Sequence, residues 1–126
     1  MNSNCSEMNF VLPVNPLPAR LELYRKKKKF TDVKIKIGNL EMEAHRIVLE
    51  DASPVIRAMF THDGNVLEFQ ETSVDPGILE DLLNFFYNAQ IKITLENALS
   101  LCIASHFLHI QNLLEESEKF LSLNVS

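Results

Sequence analysis

The stretch DVKIKIGNLEMEA, residues 32 to 44, constrains the fold more than any other part of the chain. Val33, Ile35 and Ile37 alternate with Lys34 and Lys36. Beyond Gly38-Asn39, Leu40, Met42 and Ala44 alternate with Glu41 and Glu43. Period two on both sides of a two-residue loop with glycine first predicts a hairpin closed by a type II′ turn. Ile37 then faces Leu40, Lys36 faces Glu41 and Lys34 faces Glu43, which leaves one apolar face and one of matched charge. A slip of one residue would destroy both matches, so the register is well specified.

Around the hairpin the periodicity turns helical. Leu17, Leu21 and Tyr24 fall at i, i+4 and i+7, with Pro18 near the start, and mark one face of a helix running into RKKKK. After His45 the pattern predicts two short helices, HRIVLED and PVIRAMF, the second with Ser53 as N-cap and Pro54 at its first position. VLEFQ supplies a third strand that does not alternate cleanly. Asp75 and Pro76 open a helix striped by Ile78, Leu79, Leu82, Leu83 and Phe86, and IKI, residues 91 to 93, reads as a small strand. Thr94 caps LENALSLCIASHFL, which has no charged side chain between Glu96 and Glu115 and so belongs in the middle of a domain. An amphipathic helix from Ile110 closes the chain. Residues 1–16 read as a tail with a short extended patch at Phe10 to Leu12, and residues 17–124 as one α+β domain.

Composition narrows the function. The chain has 126 residues, 46% hydrophobic and 23% charged, enough for one domain with a core. A net charge of −5 gives no bulk attraction to nucleic acid or to an anionic membrane. Cys5 and Cys102 make no disulfide framework and no signal pattern precedes them, so a soluble protein in a reducing, intracellular setting is expected. No apolar run approaches the roughly 18 residues that span a bilayer.

Chemistry is sparse. Three glycines, none in a phosphate-cradling spacing, exclude a nucleotide loop. Cys102, His106 and His109 are the only ligand types at helical spacing, and no second cluster completes a zinc site. No cofactor, no metal and no enzymatic activity are expected. Lys26 to Lys29 read as a solvated face rather than a localisation or phosphate-binding signal. What remains is association: Leu17, Leu21 and Tyr24, preceded by Phe10, Val11 and Leu12, form an apolar patch on terminal elements. The residues alone leave open whether it covers the core or meets a second subunit. Asp32 and Arg46, opposite charges flanking the apolar hairpin, are expected to pair.

In order along the chain, FTDVKIKIGNLEMEAHRIVLEDASPVIRAMF, then LLNFFYNAQIKIT, then ENALSLCIASHFLHIQNLLEESEKFL, it resembles the BTB/POZ domain from Leu17 to about Leu123. The most typical pieces are Asp32-Val33, Ala44-His45-Arg46 with Val48-Leu49, Ser53, and Arg57 to Phe60. The resemblance implies an α+β fold of strands flanked by helical hairpins. It implies homodimers through the first helix and adjoining segment, tipping Phe10, Leu12, Leu17, Leu21 and Tyr24 toward an interface. Asp32 and Arg46 match the family's charged pocket, and His62, Asp63, Phe107 and His109 fall on the surface that would face cullin-3.

Family domains serve as substrate adaptors of cullin-3 ubiquitin ligases or as co-regulator-binding modules of transcription proteins, and both roles are implied here. The chain carries no kelch repeats or zinc fingers, and reads as a domain cut from something larger or as one that stands alone. Two departures stand out. THDGN replaces the hydrophobic-x-Glu triplet that cullin-binding relatives carry after the RAMF stretch, and the nearby Val66-Leu67-Glu68 reads as strand, so cullin-3 contact requires a different contact set. Ala89 stands at the family's usual glycine, with Asn88 expected to take the left-handed turn.

Overall fold

A computed structural model describes residues 6–60 and 64–124. The elements run α1 (Leu17–Lys26), β1 (Val33–Ile37), β2 (Leu40–Ala44), α2 (Arg46–Ala52), α3 (Pro54–Met59), β3 (Val66–Phe69), a 3-10 turn (Pro76–Ile78), α4 (Leu79–Asn88), α5 (Ala98–Leu108) and α6 (Gln111–Asn124). This is an α+β fold built on a small mixed sheet.

The hairpin forms in the expected register: Ile37 opposite Leu40, Lys36 opposite Glu41, Lys34 opposite Glu43. Gly38 takes φ +57 and Asn39 does not enter the left-handed region, as a type II′ turn requires. The charged face pairs diagonally, with Lys34 Nζ 3.3 Å from Glu41. β3 adds to the other side of β1 in parallel, Ile35 facing Leu67 and Ile37 facing Phe69, giving the order β2-β1-β3. It alternates after all: Leu67 and Phe69 are buried, Val66 and Glu68 exposed.

The apolar face of the sheet meets Leu49 and Ile56 from the α2-α3 pair, Leu79, Leu82 and Leu83 from α4, and Leu101 and Leu108 from α5. Ser53 locks the second helical joint. Its hydroxyl accepts from the Ile56 amide at 3.1 Å, capping α3, and donates to the Leu108 carbonyl at 2.7 Å, tying α3 to the end of α5.

Five expectations need correction. No strand forms over 91 to 93 or over Phe10 to Leu12, because neither segment finds a strand to pair with inside one chain. α5 starts at Ala98, later than the pattern suggested, because Thr94 and Asn97 exchange side-chain-to-amide bonds (2.8 and 3.2 Å) that close a turn first. α5 is not wrapped on all sides either: Leu101, Ala104 and Leu108 face the core, while Leu95 in the turn before it and Leu99, Ile103 and Phe107 along it are exposed. Finally, Ala89 itself adopts the left-handed conformation at φ 60, closing α4 with its amide on the Phe85 carbonyl, and Asn88 stays helical. A helix must reverse at that residue to satisfy its last carbonyls, and the chain accepts the cost of a Cβ there.

Candidate association surface

α1 joins the domain by its polar side. Arg25 is its single fully buried residue; its guanidinium bonds Glu80 (3.3 and 3.5 Å) and Asn84 on α4 and lies 5.2 Å from the centre of the Tyr87 ring. Asn88 at the end of α4 donates to Glu22 at 3.1 Å. With this polar seam facing inward, Leu17 is left 52% exposed, and Leu21 and Tyr24 are only half-buried. Before the helix, Phe10 (84% exposed), Val11 and Leu12 are exposed, along with Met8 and Val14. The five residues expected at an interface thus share the N-terminal arm and α1, and the core does not cover them.

The loop leaving α1 is fixed by a buried histidine. His45 is 5% exposed, between β2 and α2. Its Nε2 lies 2.9 Å from the Lys29 carbonyl, which can only accept, so Nε2 carries the proton. In the neutral ring Nδ1 then accepts, and the Tyr87 hydroxyl, 2.6 Å away, donates to it while itself accepting from the His45 amide at 2.9 Å. Burial pushes the Tyr87 phenol above its ordinary range, and Asp32 adds to the rise; the His45 amide and Arg25 offset part of it. Both ring nitrogens are engaged in holding the fold.

Asp32 and Arg46 do meet, though not as the expected ion pair of side chains. Asp32 Oδ1 accepts from the Arg46 backbone amide at 2.7 Å. The Arg46 guanidinium turns along α2 instead, to Glu50 at 2.8 Å and the Phe60 carbonyl at 2.8 Å, and stacks 4.5 Å above the Phe60 ring. The reason is local: Arg46 is the first residue of α2, His45 supplies no side-chain cap, and Glu50 stands one turn on.

Of the residues assigned to a cullin-facing surface, two are described. His62 and Asp63 lie outside the described residues. His109 is exposed at the left-handed α5-α6 corner, φ 56. Phe107 lines a groove of about 580 Å³ between α5 and α6, with Cys102, Ile103, Leu114 and Leu121. Val66-Leu67-Glu68 is β3 with Leu67 buried, so that triplet presents no helical face.

Cys102 is partly buried, and its thiol is held above its ordinary value by burial, with Glu118 adding to the shift. His106 is exposed. Among the described residues no three His, Cys, Asp or Glu side chains are placed to hold a metal ion, and no helix is long and apolar enough to cross a membrane. A concavity of about 940 Å³ between α4 and the 90–97 segment is lined mainly by polar residues such as Asp75, Asp81, Asn84 and Asn97, with no histidine or cysteine.

Sequence reasoning missed Arg25, hidden at the edge of a lysine run, and Tyr87, whose partner is 42 residues away. A lone arginine on the flank of an otherwise apolar helix face was the available signal.

The same arrangement of elements recurs in known proteins. The BTB/POZ domain family model matches residues 21–124. The solved BTB domain of zebrafish PATZ1 superposes with a TM-score of 0.78 at 25% identity, over 91% of this chain and 99% of that one. This chain belongs to the BTB/POZ domain family. It is 35% identical to rat Kelch-like protein 25 over 86% of its length and 34% identical to mouse Kelch-like protein 3 over 77%. It spans only 19% and 17% of those two relatives.

Proposed function

We propose that the chain is a protein-binding module, not an enzyme, that pairs with a second copy of itself through the N-terminal arm and the outer face of α1. The observation that carries this is the inverted seating of α1. A helix that turns Arg25 inward and leaves Leu17 exposed beside an apolar arm has its apolar side free for a partner. Residues 17–124 act as the folded unit and the preceding residues as its arm. Neither nucleic acid nor membrane is a direct partner, in keeping with the net charge of −5, and the site of action is intracellular, cytoplasm or nucleus. Static light scattering across a concentration series tests the pairing: the mass rises toward twice the 14.4 kDa of one chain. A constant single-chain mass at every concentration sinks it.

The role built on that pairing is substrate adaptor of a cullin-3 type ubiquitin ligase, supported by the likeness to two Kelch-like proteins. The contact surface comprises the α5-α6 corner with Phe107 and His109, together with His62 and Asp63. Calorimetric titration with the N-terminal region of cullin-3 is the test; no heat at tens of micromolar removes the ligase role for this domain. A second reading, self-association and co-regulator binding without a ligase, is favoured by one feature: the first hydrophobic-x-Glu triplet after Phe60, Val66-Leu67-Glu68, is held in β3.

A further inference from the structure

From Ala58 to Ile91 the chain carries no lysine or arginine, while Asp63, Glu68, Glu71, Asp75, Glu80 and Asp81 all fall within that stretch. Thr72 stands in the middle of it, with Glu71 directly before it and Asp75 three residues after. The fold leaves this threonine accessible. β3 ends at Phe69, and the amides of Ser73 and Val74 both donate to the Gln70 carbonyl at 3.0 Å, closing a turn that the buried Val74 pins to the core. Thr72, inside that turn, is exposed, and among the described residues its hydroxyl makes no hydrogen bond. Other hydroxyls are engaged: Ser100 donates to Asp75, Thr31 to Glu43 and Ser122 to the Lys119 carbonyl, while Ser53 and Ser105 are buried.

A free hydroxyl in an exposed turn, flanked by carboxylates and far along the chain from any lysine or arginine, suits a kinase whose substrate cleft is basic. The carboxylates steer the segment into such a cleft and pair with it. We propose that Thr72 is a phosphorylation site for an acid-directed serine/threonine kinase. Thr72 Oγ1 bonds the γ-phosphorus of ATP, the bond from that phosphorus to the bridging oxygen breaks, ADP leaves, and the hydroxyl proton passes to the kinase's base. The placement gives the modification a consequence. Thr72 lines the α5-α6 groove together with Ile103 and Phe107. Phosphate there adds a charge of about −1.5 to −2 beside apolar side chains, and any partner packing on them must desolvate it. Phe107 belongs to the surface given above to cullin-3, so phosphorylation weakens that contact; this half rests on that reading.

Incubation of the folded full chain with ATP and casein kinase 2, read by mass spectrometry with fragment mapping, tests the site. The wild type should gain phosphate at Thr72, and Thr72→Ala should lose it. Asp75→Asn keeps the oxygen that accepts from the Gly77 amide, yet should slow the transfer by about tenfold for want of the charge. Phosphate only at other residues, phosphate at Thr72 only after unfolding, or an unchanged rate in Asp75→Asn overturns the proposal. Calorimetry with the N-terminal region of cullin-3 reads the consequence: the phosphorylated chain should bind about tenfold more weakly than the unmodified one. Equal affinities overturn the switch. No heat from either form removes the ligase reading and the switch with it, while the mass spectrum still decides the site.

Discussion

Asp32 takes the backbone amide of Arg46 at 2.7 Å, so an aspartate at the entry to β1 caps the helix that begins after β2. The bond needs an oxygen acceptor and little else. Asp32→Ala should therefore cost about 1 kcal/mol, as lost helix caps do, while Asp32→Asn stays within a few tenths. Urea unfolding of the two variants decides: equal losses would restore a side-chain ion pair with Arg46 as the dominant contact.

Tyr87 sets a pH limit. Burial raises the Tyr87 phenol, so the folded chain keeps that proton at pH values where the unfolded chain, near an ordinary value of about 10, has released it. The unfolded state then binds fewer protons, and stability falls as pH rises from about 10 upward. Tyr87→Phe should be less stable near neutral pH by about 1–3 kcal/mol, having left His45 Nδ1 and its amide without their buried partner. Its alkaline decline should also be shallower. Urea midpoints from pH 8 to 11 give both, and parallel declines would contradict the assignment.

Ser53 bridges two elements through one hydroxyl. Ser53→Ala removes the α3 cap and strips the Leu108 carbonyl of its donor in the core, a loss of about 2–4 kcal/mol from the two terms together. A chemical unfolding midpoint within error of wild type would mean the α3-α5 joint does not depend on it.

Ala89 is a site for improvement. Its left-handed backbone at φ 60 penalises a Cβ, and the residue is exposed, so Ala89→Gly should stabilise by about 0.5–1 kcal/mol. A lower thermal midpoint would show that the methyl group makes contacts worth more than the strain.

These cases also mark what could be read from the chain. The hairpin, the Ser53-Pro54 helix start and the α4 stripe were legible because each is written within a dozen residues, as an alternation, a cap or a 3.6 period. The parallel pairing of β3 with β1 was not, since its partner lies across two helices. Arg25 was lost for a similar reason: its partners Glu80 and Asn84 are 55 and 59 residues away, and four lysines beside it disguise one buried guanidinium. Phe10, Leu12, Leu17, Leu21 and Tyr24 read from the sequence as one apolar group, yet whether a core covers them is a tertiary fact that only the seating of α1 reveals. Asp32 and Arg46 were placed together, but which atoms meet depends on where α2 starts.

The pairing through α1 is tested most directly by sedimentation velocity on wild type and Leu21→Asp at matched concentrations. Leu21 is half-buried on the outer side of a helix held to α4 by Arg25 and Glu22, so aspartate there leaves the polar seam intact. The wild type should sediment as a dimer and Leu21→Asp as a folded monomer with unchanged circular dichroism. A variant that sediments with the wild type, both dimeric or both monomeric, would contradict the account.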